Sequence, residues 1–419
     1  MGGAGIYLAA SLINASIPFL LLPILTRYLE PSEYGAVAMF SVWGSMAGAL
    51  CGLSVHGAAI RKYFDYKNPD AEIGDFVCAC VIVLVVSSLA FLIFLIPLGS
   101  FLSDIMGLPE LWLYLGVLYA FCNFLMRLRL GQWQVRKEPI RFGIFQISTS
   151  SLNMILSIAL VVLLSMGVTG RLSGQVFSAL FFGLVGLWLL WRDGLLRWSW
   201  RPDLVREALH FGVPLMPHVI GAFFLLTIDR AVIGSQLGLD AAGYYMVAVQ
   251  FAMVLGLLLD SVNRAYVPWL YEKLKKDIYT EKILVVKASY AYGLFLLLCT
   301  VAAFLVGGDF LVFVAGEKYK PAAQVIGWLV LAKAFHGMYY TATGYIFYAK
   351  KTGLVAKITV FCGAINVLFL FVFIEHFGLI GASWAMCLSM LLQWLITWKV
   401  AASVIHMPWS MRVGDERSS

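Results

Sequence analysis

The chain has 419 residues, 61% hydrophobic and only 13% charged, where an ordinary soluble domain carries about 25% charged residues. No water-soluble fold can hide that much apolar surface, so the solvent is lipid. The net charge of +7 does not indicate a nucleic-acid binder, because Lys and Arg are dispersed through short inter-span segments rather than gathered on one face or tail.

Apolar stretches of about 20 residues, enough for a helix to cross about 30 Å of hydrocarbon, recur along the whole length. Hydrocarbon offers the backbone no hydrogen-bond partner, so each must be helical. In chain order, hydropathy predicts about twelve spans: 6–28, 35–56, 76–97, 111–131, 142–165 and 173–191, then 210–234, 241–265, 283–306, 322–348, 354–374 and 379–403. Residues 1–5 contain no Lys or Arg, and the apolar run that follows is too long for a signal-peptide core, so it reads as the first span. Cys51, Cys78, Cys80, Cys122, Cys299, Cys362 and Cys387 all lie in apolar stretches and read as small hydrophobes. No disulfide framework, metal site or cofactor is expected.

Lys and Arg concentrate in alternate inter-span segments: around Arg61 and Lys62, around Arg127 to Arg141, from Arg192 to Arg206, from Arg264 to Lys282, at Lys350 to Lys357, and in the tail at Lys399, Arg412 and Arg417. The opposite segments hold only Arg171, Lys318 and Lys320. This asymmetry predicts cytoplasmic termini at both ends.

The halves resemble one another. Leu29-x5-Gly35 matches Leu237-x5-Gly243, and Gly99-x-Phe101-Leu102-x4-Gly107 matches Gly308-x-Phe310-Leu311-x4-Gly316. Asn153 pairs with Asn366, and Gly167-x-x-Gly170 with Gly378-x-x-Gly381. The offset stays between about 208 and 213 residues. The expected fold class is therefore an all-α integral membrane protein, with about 12 transmembrane helices in two six-helix lobes. Residues 1–206 and 207–419 form the lobes, related by a pseudo-two-fold axis along the membrane normal.

Charged residues at bilayer depth cost several kcal/mol, roughly 2.5 to 3.5 at a helix centre, and so mark a cavity or a partner. Asp229 and Arg230 lie within the seventh span; as helical neighbours about 100° apart they are not expected to bridge each other. Asp260 and Arg264 stand one turn apart and should face one another, as should Lys333 and His336. His56 and Arg61 close the second span; Arg127 and Arg129 close the fourth, and only one of that pair should point inward. Arg230, Lys333, Arg61 and Arg264 are the candidate contacts for an anionic substrate, supported by Asp229, Asp260, His56 and His336. Cations outnumber anions in this set, which suits a phosphate or pyrophosphate. No Walker A loop, HExxH or GxSxG occurs, so an enzyme is not expected.

Residues Leu25 to Gly35 (LTRYLEPSEYG), Ile228 to Gly234 (IDRAVIG) and Ala242-Gly243-Tyr244-Tyr245, with Pro268, resemble the polysaccharide biosynthesis family. These are Wzx-type flippases of the multidrug/oligosaccharidyl-lipid/polysaccharide superfamily. The resemblance implies movement of an undecaprenyl-pyrophosphate-linked oligosaccharide from the cytoplasmic to the periplasmic leaflet of a bacterial inner membrane, by alternating access, in surface-polysaccharide assembly. Expected partners are that glycan, membrane lipid, and glycan polymerase and chain-length regulator proteins. The family motif itself singles out Asp229 and Arg230. Two alternatives stand beside this reading: a drug or organic-cation exporter of the same fold, whose cavity should carry excess acid, and an intramembrane glycan ligase or polymerase, which needs a longer external loop.

Overall fold

Because each apolar stretch must satisfy its backbone internally, the secondary structure follows from hydropathy almost directly. The computed structural model describes residues 3–67 and 69–409, and among these there is no strand. The helices are α1 (Gly3–Tyr28), α2 (Pro31–Leu50), α3 (His56–Lys62), α4 (Pro69–Leu95), α5 (Gly99–Met106), α6 (Glu110–Val135), α7 (Pro139–Ile158) and α8 (Gly167–Arg192). They continue with α9 (Pro202–Gly212), α10 (Met216–Leu226), α11 (Asp229–Leu237), α12 (Leu239–Lys276), α13 (Tyr279–Ala302), α14 (Gly308–Ala315), α15 (Ala323–Tyr348) and α16 (Thr352–Val404). The tail residues Arg412 and Arg417 lie outside the described residues.

Nine stretches among the described residues are long and apolar enough to cross a membrane. The last, α16, is two passes, because Gly378 breaks it at φ 59°, ψ −137°. The remaining two passes are α2 and α15, whose hydropathy is diluted by Gly, Ala, Ser, Thr and Tyr. Both are largely buried by neighbouring helices, so they do not need a lipid-facing surface. Counted this way the described chain makes twelve passes, six in each half.

The repeat is visible in backbone geometry. Gly107 and Gly316 end the eight-residue helices α5 and α14 with φ of 60° and 91°. Gly167 and Gly378 open the sixth and twelfth passes with φ of 54° and 59°. A left-handed residue is routine only for glycine, so the recurring glycines are conformational requirements.

Two compact units are present, Met1–Met246 and Val247–Ser419. In the first, α2 is central: Phe40, Val42 and Trp43 are buried, and the Trp43 indole donates to the Leu113 carbonyl of α6 at 2.8 Å. Helix α1 packs on α7, α6 on α8 and α4 on α9. In the second unit α15 packs on α16 and α13 around Leu270, Val285, Tyr345 and Ile346.

Two spans differ from expectation. The second ends at Leu50 rather than running to His56. The seventh is broken at Thr227, where φ is −135°. Both breaks shape the cavity described next.

Candidate functional site

After α2 the chain takes three consecutive left-handed residues, Gly52 (φ 75°), Leu53 (φ 44°) and Ser54 (φ 60°). For Leu and Ser this conformation is strained, and surrounding contacts must hold it. The Gly52 N–H donates to Ser87 Oγ at 2.8 Å, and Val55 N–H returns to the Gly52 carbonyl at 2.9 Å. A Cβ on Gly52 would meet the Phe124 ring at 2.3 Å, so this position also needs glycine for space. The turn delivers Ser54 and His56 to a cavity of about 540 Å³ inside the first unit.

The cavity lies between α2, α6, α8 and α10. Its polar lining includes Ser41, Ser45, Asn123, Gln175 and Thr227 with His56; among the described residues that line it, Arg127 is the one Lys or Arg, and none is Asp or Glu. The Ser41 and Ser45 hydroxyls donate back to their own helix at 2.9 and 2.8 Å, leaving their lone pairs toward the space. The His56 ring stands edge-on to Phe124 at 5.5 Å, and its Nδ1 is buried without a partner. Arg127 is exposed within the isolated chain, whereas Arg129, two residues on, turns away into the core. Arg129 pairs with Asp193 and lies 4.1 Å over the Trp133 ring.

Asp229 and Arg230 do bridge, contrary to the expectation from an unbroken helix. Arg230 Nη1 stands 3.1 Å from Asp229 Oδ1 and donates to the Leu226 carbonyl at 2.8 Å. The break at Thr227 is the reason. It leaves the Leu226 carbonyl free at the end of α10, where a cation is favoured, and puts Asp229 at the start of α11, where an anion is favoured. Asp229 Oδ1 also accepts from the Arg230 N–H at 2.9 Å. Both side chains are buried, at 3% and 7% exposure. The pair therefore braces the break whose Leu226 and Thr227 line the cavity.

Arg61 is exposed and lines a second space of about 400 Å³ with Lys62, Glu207 and His210. Lys62 bonds Glu207 at 2.6 Å and lies over the Tyr66 ring at 5.1 Å. Burial alone would lower the Lys62 ammonium, but the hydrogen bond and charge of Glu207 outweigh it and raise it above 10.5.

The other candidates are in the second unit. Arg264 and Asp260 are exposed, and among the described residues no ion pair within 4.0 Å joins them. Asp260 instead lies beside the Tyr340 and Tyr292 hydroxyls. His336 is held between Tyr339 at 5.4 Å and Tyr340 at 4.6 Å, with half-buried Lys333 near it. Tyr292 and Tyr340 also line an aromatic cavity of about 290 Å³ with Tyr266, Trp269 and Asn263.

Thus His56 shares a cavity with Arg127, Arg61 lines a neighbouring space, and Arg230 serves the backbone. Asn123, Gln175 and Thr227 carried no sequence signal, being ordinary polar residues in apolar runs. Arg171, which in the sequence reads as a loop charge, is buried at 9% exposure.

These features define a polytopic, all-helical membrane protein with a positively biased internal cavity. The chain belongs to the family described as "Polysaccharide biosynthesis protein", which it matches over residues 1–274. It is 24% identical over 396 residues to "Lsg locus putative protein 1" of Haemophilus influenzae, covering 90% of this chain and 94% of that one. It is 24% identical over 352 residues to the "Succinoglycan biosynthesis transport protein ExoT" of Rhizobium meliloti, covering 80% and 66%. The fold is similar to that of the lipid II flippase MurJ in an inward closed conformation, at TM-score 0.77 and 13% identity over 94% of this chain and 87% of that one. It is also similar to an inward-facing multidrug resistance MATE family transporter of the MOP superfamily, at TM-score 0.74 and 15% identity over 93% and 95%.

Proposed function

We propose that this protein is a flippase that carries an undecaprenyl-pyrophosphate-linked oligosaccharide from the cytoplasmic to the periplasmic leaflet of a bacterial inner membrane, for surface-polysaccharide assembly. The observation that carries the reading is the cavity of the first unit: it is lined by Arg127, His56, hydroxyls and amides, and by no carboxylate. A guanidinium in a low-dielectric space favours phosphate, and hydroxyls and amides suit a sugar that must be both donor and acceptor. Membership of a polysaccharide biosynthesis family and the relative named as a succinoglycan transport protein support a glycan as cargo. The MurJ-like fold supports a lipid-linked one.

In this reading Arg61 and Lys62 meet the phosphate first, and Arg127 with His56 holds it inside the cavity. The polyprenyl tail stays in lipid. Asp229 and Arg230 keep the seventh pass broken, and Asp260, Lys333, Arg264 and His336, within the second unit, are assigned to sugar contact or to a coupling ion. The chain performs no covalent chemistry.

The test uses the purified full chain in phospholipid vesicles loaded with an undecaprenyl-diphosphate-linked oligosaccharide. Transfer is read as sugar reaching a lectin on the opposite face. Wild-type protein should accelerate transfer, and Arg127→Ala should lose it while remaining folded. Vesicles in which wild-type protein gives no transfer above empty liposomes would reject the reading.

Export of an organic cation is the second reading, and one observation favours it: the aromatic cavity of the second unit, with Asp260 beside two of its tyrosines. Uptake of a quaternary ammonium dye by the same vesicles, abolished by Asp260→Asn, would move the assignment there.

A further inference from the structure

Three arginines are buried among the described residues: Arg129, Arg171 and Arg230. Arg129 is paired with Asp193 and Arg230 with Asp229. Arg171, at 9% exposure in the second turn of α8, has no carboxylate within 4.0 Å among the described residues. Its Nη1 donates to Asn153 Oδ1 at 2.8 Å and to Ser157 Oγ at 2.5 Å, both neutral, and its Nε is buried without a partner. The ionisable groups that bear on it are the Tyr34 and Tyr119 hydroxyls. A buried membrane cation without a counter-charge is expensive, and a membrane protein retains one for an anion it meets.

The position of Arg171 says which anion. Gln175 stands four residues further along α8, on the same face, and lines the 540 Å³ cavity; its Oε1 is also buried without a partner. Tyr119, which bears on Arg171, lines that cavity too. Helices α6 and α8 are separated by the single pass α7 and so run in the same direction. Arg127 lies late in α6, near the end where Gly131 packs on Ile60 next to Arg61. Arg171 lies early in α8 and so nearer the opposite face. Gly183 packs on Cys122 and Gly186 on Leu125, which sets Arg171 level with the first turn of α6, about 17 residues or 25 Å from Arg127. Arg61, Arg127 and Arg171 therefore succeed one another in depth across the first unit.

We infer that Arg171 is a second phosphate-binding station, which receives the diphosphate of the lipid-linked substrate after Arg127 on its way to the opposite leaflet. The inference rests on the flippase reading above. Asn153 and Ser157 hold the guanidinium in place without neutralising it, and Gln175, one turn further along α8, lines the cavity.

The test uses full-length protein in vesicles with a fluorescent polyisoprenyl diphosphate as probe, and the matching polyisoprenol as a phosphate-free control. Transfer is read as fluorescence reached by an impermeant quencher. Wild-type protein should move the diphosphate and not the alcohol. Arg171→Gln should bind the diphosphate within about 3-fold of wild type, because Arg127 remains, but move it at least about 10-fold more slowly. Arg171→Lys, which keeps the charge, should recover transfer to within about 3-fold of wild type. Wild-type transfer by Arg171→Gln overturns the inference alone. So does equal loss in both variants with a lowered melting temperature, which marks a purely structural role. Failure of the wild-type protein to move any diphosphate lipid overturns the flippase reading itself.

Discussion

Gly35 and Gly243 each face a main-chain carbonyl from the other's helix start. A Cβ on Gly35 would stand 1.9 Å from the Leu239 oxygen, and a Cβ on Gly243 would stand 2.0 Å from the Pro31 oxygen. Pro31 and Leu239 are themselves related by the same 208-residue offset that relates the two glycines. The Leu-x5-Gly repeat noted in the sequence is thus a reciprocal crossing of α2 and the start of α12, closed by backbone at both ends. Gly35→Ala or Gly243→Ala should destabilise the protein by about 1–3 kcal/mol or more, since the obstacle is a carbonyl that cannot rotate away. Gly256→Ala meets nothing within 4 Å and should leave the melting temperature in detergent unchanged or slightly raised. Equal melting temperatures for Gly35→Ala and Gly256→Ala would contradict this account.

Glu33 joins two helix starts. Its Oε2 accepts the Glu30 N–H at 2.9 Å, and its Oε1 accepts the Val168 N–H at 3.1 Å, at the beginning of α8. One carboxylate therefore satisfies orphan donors of α2 and α8 and sits at the positive end of both dipoles. Gly167 makes the approach possible, because a Cβ there would lie 2.3 Å from Glu33 Oε1. Glu33→Gln should lower stability by about 1 kcal/mol and Glu33→Ala by more, as for other helix caps. Thermal unfolding in detergent measures both. A variant Glu33→Ala that unfolds with wild-type protein would show that the clamp contributes nothing.

The number of passes, their order and the repeat were legible because each rests on a long-range regularity: apolar length, alternating charge, or a glycine at constant offset. The cavity was not, because it depends on local departures from helix inside apolar sequence. Cys51-Gly52-Leu53-Ser54 reads as more of span two, and only its left-handed backbone turns His56 inward. Arg171 stands close to a helix start, where hydropathy cannot separate a loop charge from a buried one; Asn153, already conspicuous through its repeat partner Asn366, was the available clue. Arg230 is legible by its cost in lipid, but its bridge to Asp229 is not. Spacing on an ideal helix forbids a contact that a broken helix permits.

That break carries a prediction of its own. The Arg230 guanidinium serves two acceptors at once, the Leu226 carbonyl and the Asp229 carboxylate. Both bonds leave the one nitrogen Nη1, and a lysine ammonium, with three donors, can serve the same two acceptors from that point. Arg230→Lys should therefore cost less stability than Arg230→Met. Arg230→Met leaves a buried carboxylate uncompensated, a loss of about 3–5 kcal/mol for a fully buried pair. The double variant Arg230→Met/Asp229→Asn should recover part of the loss, because it removes the stranded charge as well. Melting temperatures of wild type, Arg230→Met, Asp229→Asn and the double variant form the cycle. Additive single effects, with no recovery in the double variant, would show that the two side chains do not act as a unit.

The last prediction concerns the strap between α3 and α9. Lys62 bonds Glu207 at 2.6 Å, and its ammonium lies over the Tyr66 and Phe76 rings at 5.1 and 5.7 Å. Partial burial opposes the charged ammonium, but the Glu207 hydrogen bond and charge dominate and raise its pKa above 10.5. A base whose folded pKa is raised contributes its full stability below the unfolded value. It loses that contribution as pH rises through the folded one. The difference in melting temperature between wild type and Lys62→Met should therefore stay constant from pH 7 to 9 and shrink only above the ordinary lysine value of 10.5. Glu207→Gln should show the same plateau with a smaller difference, since it keeps a hydrogen-bond acceptor but no charge. A difference that already narrows between pH 7 and 9 would mean that the Lys62–Glu207 pair is not what holds α9 to α3.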